Sequence, residues 1–287
     1  MVRLLTVTDT VSGGSGRADG DPPDNTSVRR FLGLEPTEDP QRWLLPVTEG
    51  ICGGRGALYG GCGLAAMIEA AETFSGRPVA WATLQFVAGA APPDVVRLEV
   101  DVLAAGRRMS QLRVTGTCDD RVVLAGLAAL GRRESVAAGS WEAMPDVPPP
   151  EACANRRLVN EERRGGLRSR IEERMATTGD DGFLTAVDGR SALWVTMPGG
   201  VAPCASALAI LGDDVSAGVA AAVGDDVRAR SIDNTIRVVE PRATDWVLAD
   251  VGVHAVADGL GHGNVNLWSR DGHLLAVSSQ SGLVGPR

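Results

Sequence analysis

Lysine is absent from this chain, and all 28 basic residues among its 287 residues are arginine. The absence excludes a Schiff-base lysine and a phosphate loop that depends on a lysine. A Gly-x-Ser-x-Gly segment is also absent, which argues against a serine hydrolase of the α/β type. No apolar run approaches the length of a membrane span, and no signal-peptide pattern is visible at the N-terminus, so we expect no membrane span.

Charge and cysteine usage narrow the class of protein further. The formal net charge is −8, which argues against nucleic acid as the main partner. The chain has five cysteines, an odd number, which are scattered and lack metal-ligand spacing. We therefore expect free thiols and a reducing, cytoplasmic environment. The three histidines also lack zinc spacing. We therefore expect neither a metal nor a redox cofactor.

Composition shifts divide the chain into two units and two less regular parts. Residues 1–40 form an N-terminal segment that is partly flexible, since residues 12–27 are rich in Gly, Ser, Asp and Pro. The first unit covers 41–138, a proline-rich linker covers 139–165, and the second unit covers 166–287.

Both units contain an alanine-rich helix followed by alternating strands. In the first unit a Gly-rich passage at 50–63 leads into a helix that ends at Gly76. In the second unit, two short strands at 168–176 and 192–198 precede a helix at 203–223. The strands expected after the first helix cover 79–87, 95–106, 108–118 and 121–133, as an antiparallel meander. Those expected after the second helix cover 230–240, 245–257, 261–269 and 273–284.

A sheet that wraps one face around a single buried helix is an α+β way to bury an alanine-rich helix. Two such units in tandem can join edge strands into one sheet and remove exposed edges. The sequence therefore predicts a double hotdog, with one antiparallel sheet and one central helix in each unit.

The chain resembles the double-hotdog acyl-CoA thioesterase II family over most of residues 43–287. The resemblance is carried by the order and spacing of several short segments rather than by one motif. In the first unit these are YGGCGLAAMIEAA (59–71), TLQFVAGA (83–90) and LEVDVLAAGRRMSQLRVTG (98–116). In the second they are ALWV (192–195), LGDD (211–214), SIDNTIRVVEP (231–241), DWVL (245–248) and WSRDGHLLAVSSQSGL (268–283).

The resemblance implies a water molecule held by an acid, a hydroxyl and an amide. The acid falls on Asp233 and the amide on Gln280, while the hydroxyl position falls near His254, where the chain departs from the pattern. Asn234 and Ser281 also depart from it. The resemblance further implies a cytoplasmic homo-oligomer of lipid metabolism, whose substrate is an acyl-CoA or an acyl-carrier thioester.

These residue types suit thioester hydrolysis. A carboxylate such as Asp233 can accept a proton from water, an imidazole such as His254 can share that role, and Gln280 can orient the water. Gly60, Gly61 and Cys62, at the start of the first helix, are expected to supply backbone donors to the thioester oxygen. Each residue also has a structural interpretation: a turn or helix cap for Asp233, an exposed strand position for Gln280, exposure or a satisfied core position for His254, and a Gly-rich turn for residues 60–62.

Other polar groups have simpler interpretations. Glu69 and Glu72 lie within the first helix and are expected to be solvated or capped, although related hotdog enzymes can place an acid there. The arginine-rich stretch 155–170 is expected to be a solvated surface, with binding of a CoA phosphate or a carrier protein as the alternative. The polar residues of the last strands have no evident counterparts in the first unit, which predicts one active site per chain.

Two other functions remain open at this point. One is a protein of the same fold that binds acyl thioesters without turnover, because a fold does not fix a function. The other is a hotdog hydratase or dehydratase, in which Asp233 and His254 would move a proton at carbon.

Overall fold

The structure, a computed structural model, describes residues 26–132, 137–157, 166–177, 184–186, 188–224 and 226–287. The segment predicted to be flexible, 12–27, lies outside these residues except for its last two, which begin helix α1 (Thr26–Leu32). Part of the predicted linker, 158–165, also lies outside them.

The predicted central helix of the first unit is present as α2 (Gly60–Ser75). Its sequence is rich in alanine and poor in β-branched residues, which favours a helix. The helix ends where Gly76 takes a left-handed conformation, with φ of 64°, and donates its N–H to the carbonyl of Glu72. Twelve of its residues are buried, so it is a core helix rather than a surface one.

The second central helix differs from the prediction because it is broken. Two helices, α3 (Ala205–Leu211) and α4 (Val215–Val223), replace the single helix expected over 203–223. By length and hydropathy alone, Ala205–Val223 would pass for a membrane-crossing helix. Here the segment is interrupted at 212–214, and about two thirds of it is buried inside the fold.

The strands occupy most of the remaining described chain. In the first half of the chain they are β1 (Glu35–Pro36), β2 (Arg42–Pro46), β3 (Val79–Phe86), β4 (Val95–Ala105), β5 (Met109–Cys118) and β6 (Arg121–Gly131). In the second half they are β7 (Ala154–Asn155), β8 (Glu172–Met175), β9 (Arg190–Thr196), β10 (Val227–Ser231), β11 (Asp233–Val238), β12 (Val247–Ala257), β13 (Leu260–Ser269) and β14 (Leu274–Pro286).

All these strands belong to one antiparallel sheet. Its order is β1-β2-β4-β5-β6-β3 in the first half and β11-β14-β13-β12-β9-β8-β7 in the second, with β10 also paired to β14. The predicted double hotdog is confirmed. The expected meander is wrong at the first long strand of both halves: β3 pairs with β6 instead of β4, and β11 pairs with β14 instead of β12. After each of these strands the chain crosses to the far side of its half of the sheet before the meander begins.

The two halves of the sheet meet at β3 and β11, around a local twofold relationship. Thr83 lies opposite Thr235, and their hydroxyl oxygens are 2.6 Å apart. On either side of this pair the register is reciprocal, with Asp233 opposite Gln85 and Arg237 opposite Trp81. Positions at equal spacing from the two threonines are therefore structural counterparts in the two halves.

Candidate active site

A buried carboxylate lies at the break between α3 and α4. Asp213 accepts a hydrogen bond on Oδ1 from the side-chain amide of Gln280 in β14. Its Oδ2 accepts a second hydrogen bond from the backbone N–H of Gly61, at a distance of 2.5 Å. The Oε1 atom of Gln280 is buried and has no hydrogen-bond partner among the described residues. An unsatisfied acceptor next to a carboxylate is a place where a water molecule could donate.

The start of α2 approaches this carboxylate closely, which only glycine allows. A Cβ atom at Gly60 would lie 2.8 Å from Asp213 Oδ2 and 2.6 Å from the ring of Phe86. A Cβ atom at Gly61 would lie 2.6 Å from the carbonyl oxygen of Ala209 in α3. The predicted helix start at Gly60 and Gly61 is therefore present, and Gly61 donates to a carboxylate at that point.

Burial sets the protonation of this carboxyl group. The loss of solvent raises the pKa of Asp213 to about 6, and the hydrogen bonds from Gln280 and Gly61 limit the rise. At neutral pH such a group is mostly ionised yet holds a proton far more readily than an ordinary aspartate. That is the property expected of a general base that works near pH 7.

The neighbouring residue, Asp214, has the opposite character. Its Oδ1 lies 3.1 Å from Arg156 and 2.6 Å from Arg168, and both arginines also pair with Glu173. Burial opposes ionisation of Asp214, but the guanidinium groups of Arg168 and Arg156 outweigh it and hold its pKa below the usual range. This buried ion-pair network fixes the chain at the helix break, directly beside Asp213.

Tyr59, the residue before α2, ties the two helices together from the other side. Its hydroxyl donates to the backbone carbonyl of Asp213. The guanidinium of Arg168 lies 5.8 Å from the centre of the Tyr59 ring. The orientation of Asp213 is thus held by its own backbone contacts as well as by its carboxylate contacts.

A cavity of about 590 Å³ opens onto Asp213. Its volume falls within the range of small-molecule sites. Apolar side chains and backbone line much of it, from the loop before α2, the end of β3 and one side of α4. The hydroxyl of Ser231 also lines the cavity and lies 2.8 Å from the hydroxyl of Ser216.

Asp233 does not join this group, contrary to the prediction. Its Oδ1 accepts a hydrogen bond of 2.6 Å from the backbone N–H of Ser281. Along β11, Asn234 and Ile236 are buried on the inner face, so Asp233 lies on the outer face with Thr235 and Arg237. This hydrogen bond joins the start of β11 to β14, so Asp233 has a structural role. Its carboxylate lies on the opposite face of the sheet from the side chain of Gln280.

His254 also lies away from Gln280, so the predicted convergence of three side chains is wrong. Its Nε2 atom is 2.8 Å from Oδ1 of Asn264, on the outer face of the sheet. There it lines a separate polar cleft with Arg190 and Asp250. Gln280, by contrast, points inward to Asp213, so the sheet itself separates the imidazole from the amide.

Cys62 is at the predicted helix start, but its side chain does not line the cavity. It is fully buried, and burial raises the pKa of its thiol well above the usual range. A thiol held in its neutral form is a poor nucleophile. The side chain of Cys62 is therefore part of the core.

Glu69 is a counterpart of Asp213 in the first half, which the sequence did not indicate. It is fully buried rather than solvated, and its Oε1 accepts a hydrogen bond of 2.5 Å from the hydroxyl of Ser206 in α3. Each acid thus reaches from its own half to the first residues of the other half's helix. Burial raises the pKa of Glu69 to about 8, so it is mostly protonated at neutral pH.

The amide of the site has no such counterpart. In the second half, Ser279 lies opposite Thr235, and Gln280 is the next residue. In the first half, Leu127 lies opposite Thr83, and the next residue is Ala128. The first half therefore has an alanine where the second has the amide. This asymmetry fits the expectation of one active site per chain.

Two further expectations concern charged residues. Glu72 accepts a hydrogen bond of 2.7 Å from the backbone N–H of Val79, so it caps the chain after α2 while lying buried. In the arginine-rich stretch, Arg156 and Arg168 are not a solvated surface but belong to the buried network around Asp214. Residues 158–165 of that stretch lie outside the described residues.

Metal binding has no support in the described part of the chain. No group of three or more His, Cys, Asp or Glu side chains there could hold a metal ion. The five cysteines are all free thiols.

Comparison with protein families gives matches to both halves of the chain. Residues 48–131 match the N-terminal domain of acyl-CoA thioesterases, and residues 146–284 match the C-terminal domain. The chain belongs to the acyl-CoA thioesterase family. These matches confirm the resemblance found in the sequence. A separate comparison with curated proteins found no match.

Solved structures of thioesterase-like proteins have the same fold over nearly their whole length. A candidate thioesterase from Novosphingobium aromaticivorans is 32% identical, with a TM-score of 0.79, over 88% of this chain and 98% of that one. The TesB protein of Mycobacterium avium subspecies paratuberculosis is 22% identical, with a TM-score of 0.75, over 91% and 99%. Acyl-CoA thioesterase II TesB2 of Mycobacterium marinum is 16% identical, with a TM-score of 0.71, over 91% and 98%.

Proposed function

We propose that this member of the acyl-CoA thioesterase family hydrolyses acyl thioesters, with Asp213 as the general base. One observation carries the proposal: a buried carboxyl group whose pKa is about 6 lies between an amide and a helix start, at the wall of a ligand-sized cavity. In this proposal Asp213 takes the role of base that was predicted for Asp233, and Gln280 has the water-orienting role that was predicted for it.

Water is activated between Asp213 and Gln280. The carboxylate accepts one proton of the water, and the unsatisfied Oε1 of Gln280 accepts a hydrogen bond from the other. The amide N–H₂ of Gln280 meanwhile donates to Asp213, which fixes the carboxylate and keeps its pKa from rising further. Gln280 is thus a positioning residue for both the base and the water.

The reaction then proceeds in two steps. The water oxygen bonds to the thioester carbonyl carbon while its proton passes to Asp213, and the carbonyl electron pair moves onto oxygen. When the carbon–oxygen double bond reforms, the carbon–sulfur bond breaks, and the proton on Asp213 passes to the departing sulfur. The products are a carboxylic acid and a free thiol, and the base is regenerated.

The oxyanion of the intermediate needs donors, and the start of α2 is the nearest source. The first N–H groups of a helix lack partners within the helix, and the helix dipole adds a partial positive charge there. The N–H of Gly61 is already donated to Asp213, so the proposed donor is that of Gly60. Gly60 lines the cavity and has no side chain to block a thioester. Ser231, in the same cavity, supplies a hydroxyl of the kind that was expected near His254.

The test is the release of free thiol from acyl-CoA substrates of graded chain length, from acetyl to palmitoyl. We expect turnover that saturates with substrate for at least one of these. Gln280→Leu should lower kcat by about a hundredfold, because misplacing the water forfeits much of what general-base catalysis contributes. Tight binding of every acyl-CoA without thiol release would instead make the protein a binding module.

A further inference from the structure

Three of the first four residues of α2 are glycine: Gly60, Gly61 and Gly63. Apart from proline, glycine is the residue least favourable to a helix, because it loses the most backbone entropy on folding. Close packing explains two of the three. A Cβ atom at Gly60 would lie 2.6 Å from the ring of Phe86, and one at Gly61 would lie 2.6 Å from the carbonyl oxygen of Ala209. Gly63 needs another explanation.

Neither the backbone nor the packing of α2 requires a glycine at Gly63. Its backbone is helical, and its N–H donates to the carbonyl of Tyr59 at 3.1 Å. Among the described residues outside α2, the atoms nearest to a Cβ there would be methyl carbons of Leu124 and Leu84, at 3.5 Å. That distance is ordinary van der Waals contact. Alanine would therefore fit in place of Gly63 and would favour the helix.

Gly63 lines the same cavity as the proposed catalytic group. The lining residues of that cavity divide by exposure. Arg55 and Arg228 are exposed and mark its mouth, whereas Gly63, Val123 and Leu124 are buried and mark its inner end. The side chains at this inner end are apolar, so it suits a hydrocarbon chain.

Gly63 follows Gly60 by three residues, so the two lie on the same face of α2, about 4.5 Å apart along the helix axis. The proposed reaction places the thioester carbonyl between Gly60 and Asp213. The thiol part of an acyl-CoA is polar and must lead out to the exposed mouth, so the acyl chain extends the other way, past Gly63. A Cβ atom there would occupy space between α2 and Leu124 that the chain fills a few carbons beyond the carbonyl.

We propose that Gly63 is a specificity-determining residue, which keeps the space between α2 and Leu124 open for acyl chains of medium and greater length. Glycine at this position lowers the stability of the helix, and the longer acyl chain that it admits is the compensating gain. The inference rests on the proposed function, because it requires the thioester carbonyl to lie at Asp213. It predicts that the protein prefers octanoyl-CoA to acetyl-CoA.

The test measures kcat/KM for thiol release from acetyl-CoA, octanoyl-CoA and dodecanoyl-CoA in the wild type and in Gly63→Ala. The two longer substrates should lose about tenfold in the variant, because excluding one or two methylene groups from an apolar site costs about that factor. Acetyl-CoA should stay within about twofold, since its chain ends before Gly63. The midpoint of urea denaturation should equal or exceed that of the wild type, because alanine favours the helix.

Two further variants serve as controls. Leu124→Ala enlarges the same space from the side of β6, so it should raise the ratio of kcat/KM for dodecanoyl-CoA to that for octanoyl-CoA. Thr73→Ala also favours the helix, but at an exposed position of α2 that does not line the cavity. It should leave the chain-length preference unchanged.

Three results would overturn the role of Gly63. They are an equal loss for acetyl-CoA and octanoyl-CoA, an unchanged chain-length preference, and a lower urea midpoint for Gly63→Ala, which would show that packing requires the glycine. Absence of hydrolysis in every protein would instead contradict the proposed function. Calorimetric titration with acetyl-CoA and octanoyl-CoA then decides the inference: Gly63→Ala should weaken only the binding of octanoyl-CoA, and an unchanged ratio of affinities would overturn it.

Discussion

The side-chain amide of Gln280 donates a hydrogen bond to the carboxylate of Asp213, a residue 67 positions earlier in the chain. This contact joins the last strand of the sheet to the break between α3 and α4. It places a buried, unsatisfied amide oxygen beside a carboxyl group of raised pKa, and that carboxyl group lines a cavity. The proposed chemistry depends on this pair.

The pH dependence of hydrolysis should follow the ionisation of Asp213. Because the base acts in its ionised form, log kcat/KM should rise with unit slope below about pH 6 and level off above it. In Gln280→Leu the carboxylate loses a stabilising hydrogen bond, so the rising limb should move to higher pH. A pH–rate profile of both proteins from pH 4.5 to 8.5 checks this, and identical limbs would show that the two side chains do not act together.

Replacement of Gly61 by alanine should damage both stability and activity. The added methyl would lie 2.6 Å from the carbonyl oxygen of Ala209 and 2.9 Å from Cα of Ile210, so α2 and α3 must separate. Overpacking of this kind costs about 1–3 kcal/mol in the free energy of unfolding. The control is Gly54→Ala, where an added methyl would meet nothing within 4 Å. Urea denaturation compares them, and equal midpoints would contradict the close approach.

Glu69 should make the protein less stable as pH rises. Its pKa is about 8 in the folded protein and 4.5 ordinarily, so between these values the folded state holds a proton that the unfolded state has lost. Stability therefore falls with pH in this window, by up to about 1.4 kcal/mol per pH unit. Below pH 4.5 both states are protonated, and the effect vanishes.

Glu69→Gln removes that ionisation and should flatten the dependence. Urea denaturation of the wild type and the variant from pH 6.5 to 8 isolates Glu69, because Asp213 titrates mainly below this range. Parallel stability curves would mean that Glu69 is ionised in the folded protein at neutral pH.

His254→Ala should leave hydrolysis within about twofold of the wild-type rate, the scatter expected of a residue outside the reaction. The imidazole contacts Asn264 on the outer face of the sheet, and the cavity opens on the inner side. Steady-state kinetics with the best acyl-CoA substrate provide the measurement. A loss of kcat by a hundredfold would return His254 to the catalytic group.

The sequence predicted the architecture well because that information is local. The spacing of apolar residues within a helix or strand indicates which of its faces is buried. Likewise, Gly76 indicates a helix end from its own conformational preference, whatever the rest of the fold. The pairing of β3 with β6 was missed because register between distant strands leaves no local signal.

The site was predicted only in part, for two physical reasons. First, successive side chains of a strand point to opposite faces of the sheet. Ile236 is apolar and expected to face the core, so Asn234 should also point inward and Asp233 outward. Asp213 was overlooked although the sequence has a visible signal there, since two adjacent acids interrupt an otherwise apolar helix. A charged pair in a buried segment calls for partners, and these turned out to be Gln280 for one acid and two arginines for the other.

The most direct test of the account compares kcat/KM for thioester hydrolysis in Asp213→Asn and Asp233→Asn. Loss of a general base costs roughly 10²–10⁴-fold in rate, so Asp213→Asn should fall by that factor while its fold, checked by circular dichroism, is retained. Asp233→Asn weakens a hydrogen bond to Ser281 and should change kcat/KM by less than about tenfold. The reverse order, with Asp233→Asn inactive and Asp213→Asn active, would contradict the assignment of Asp213 as the base.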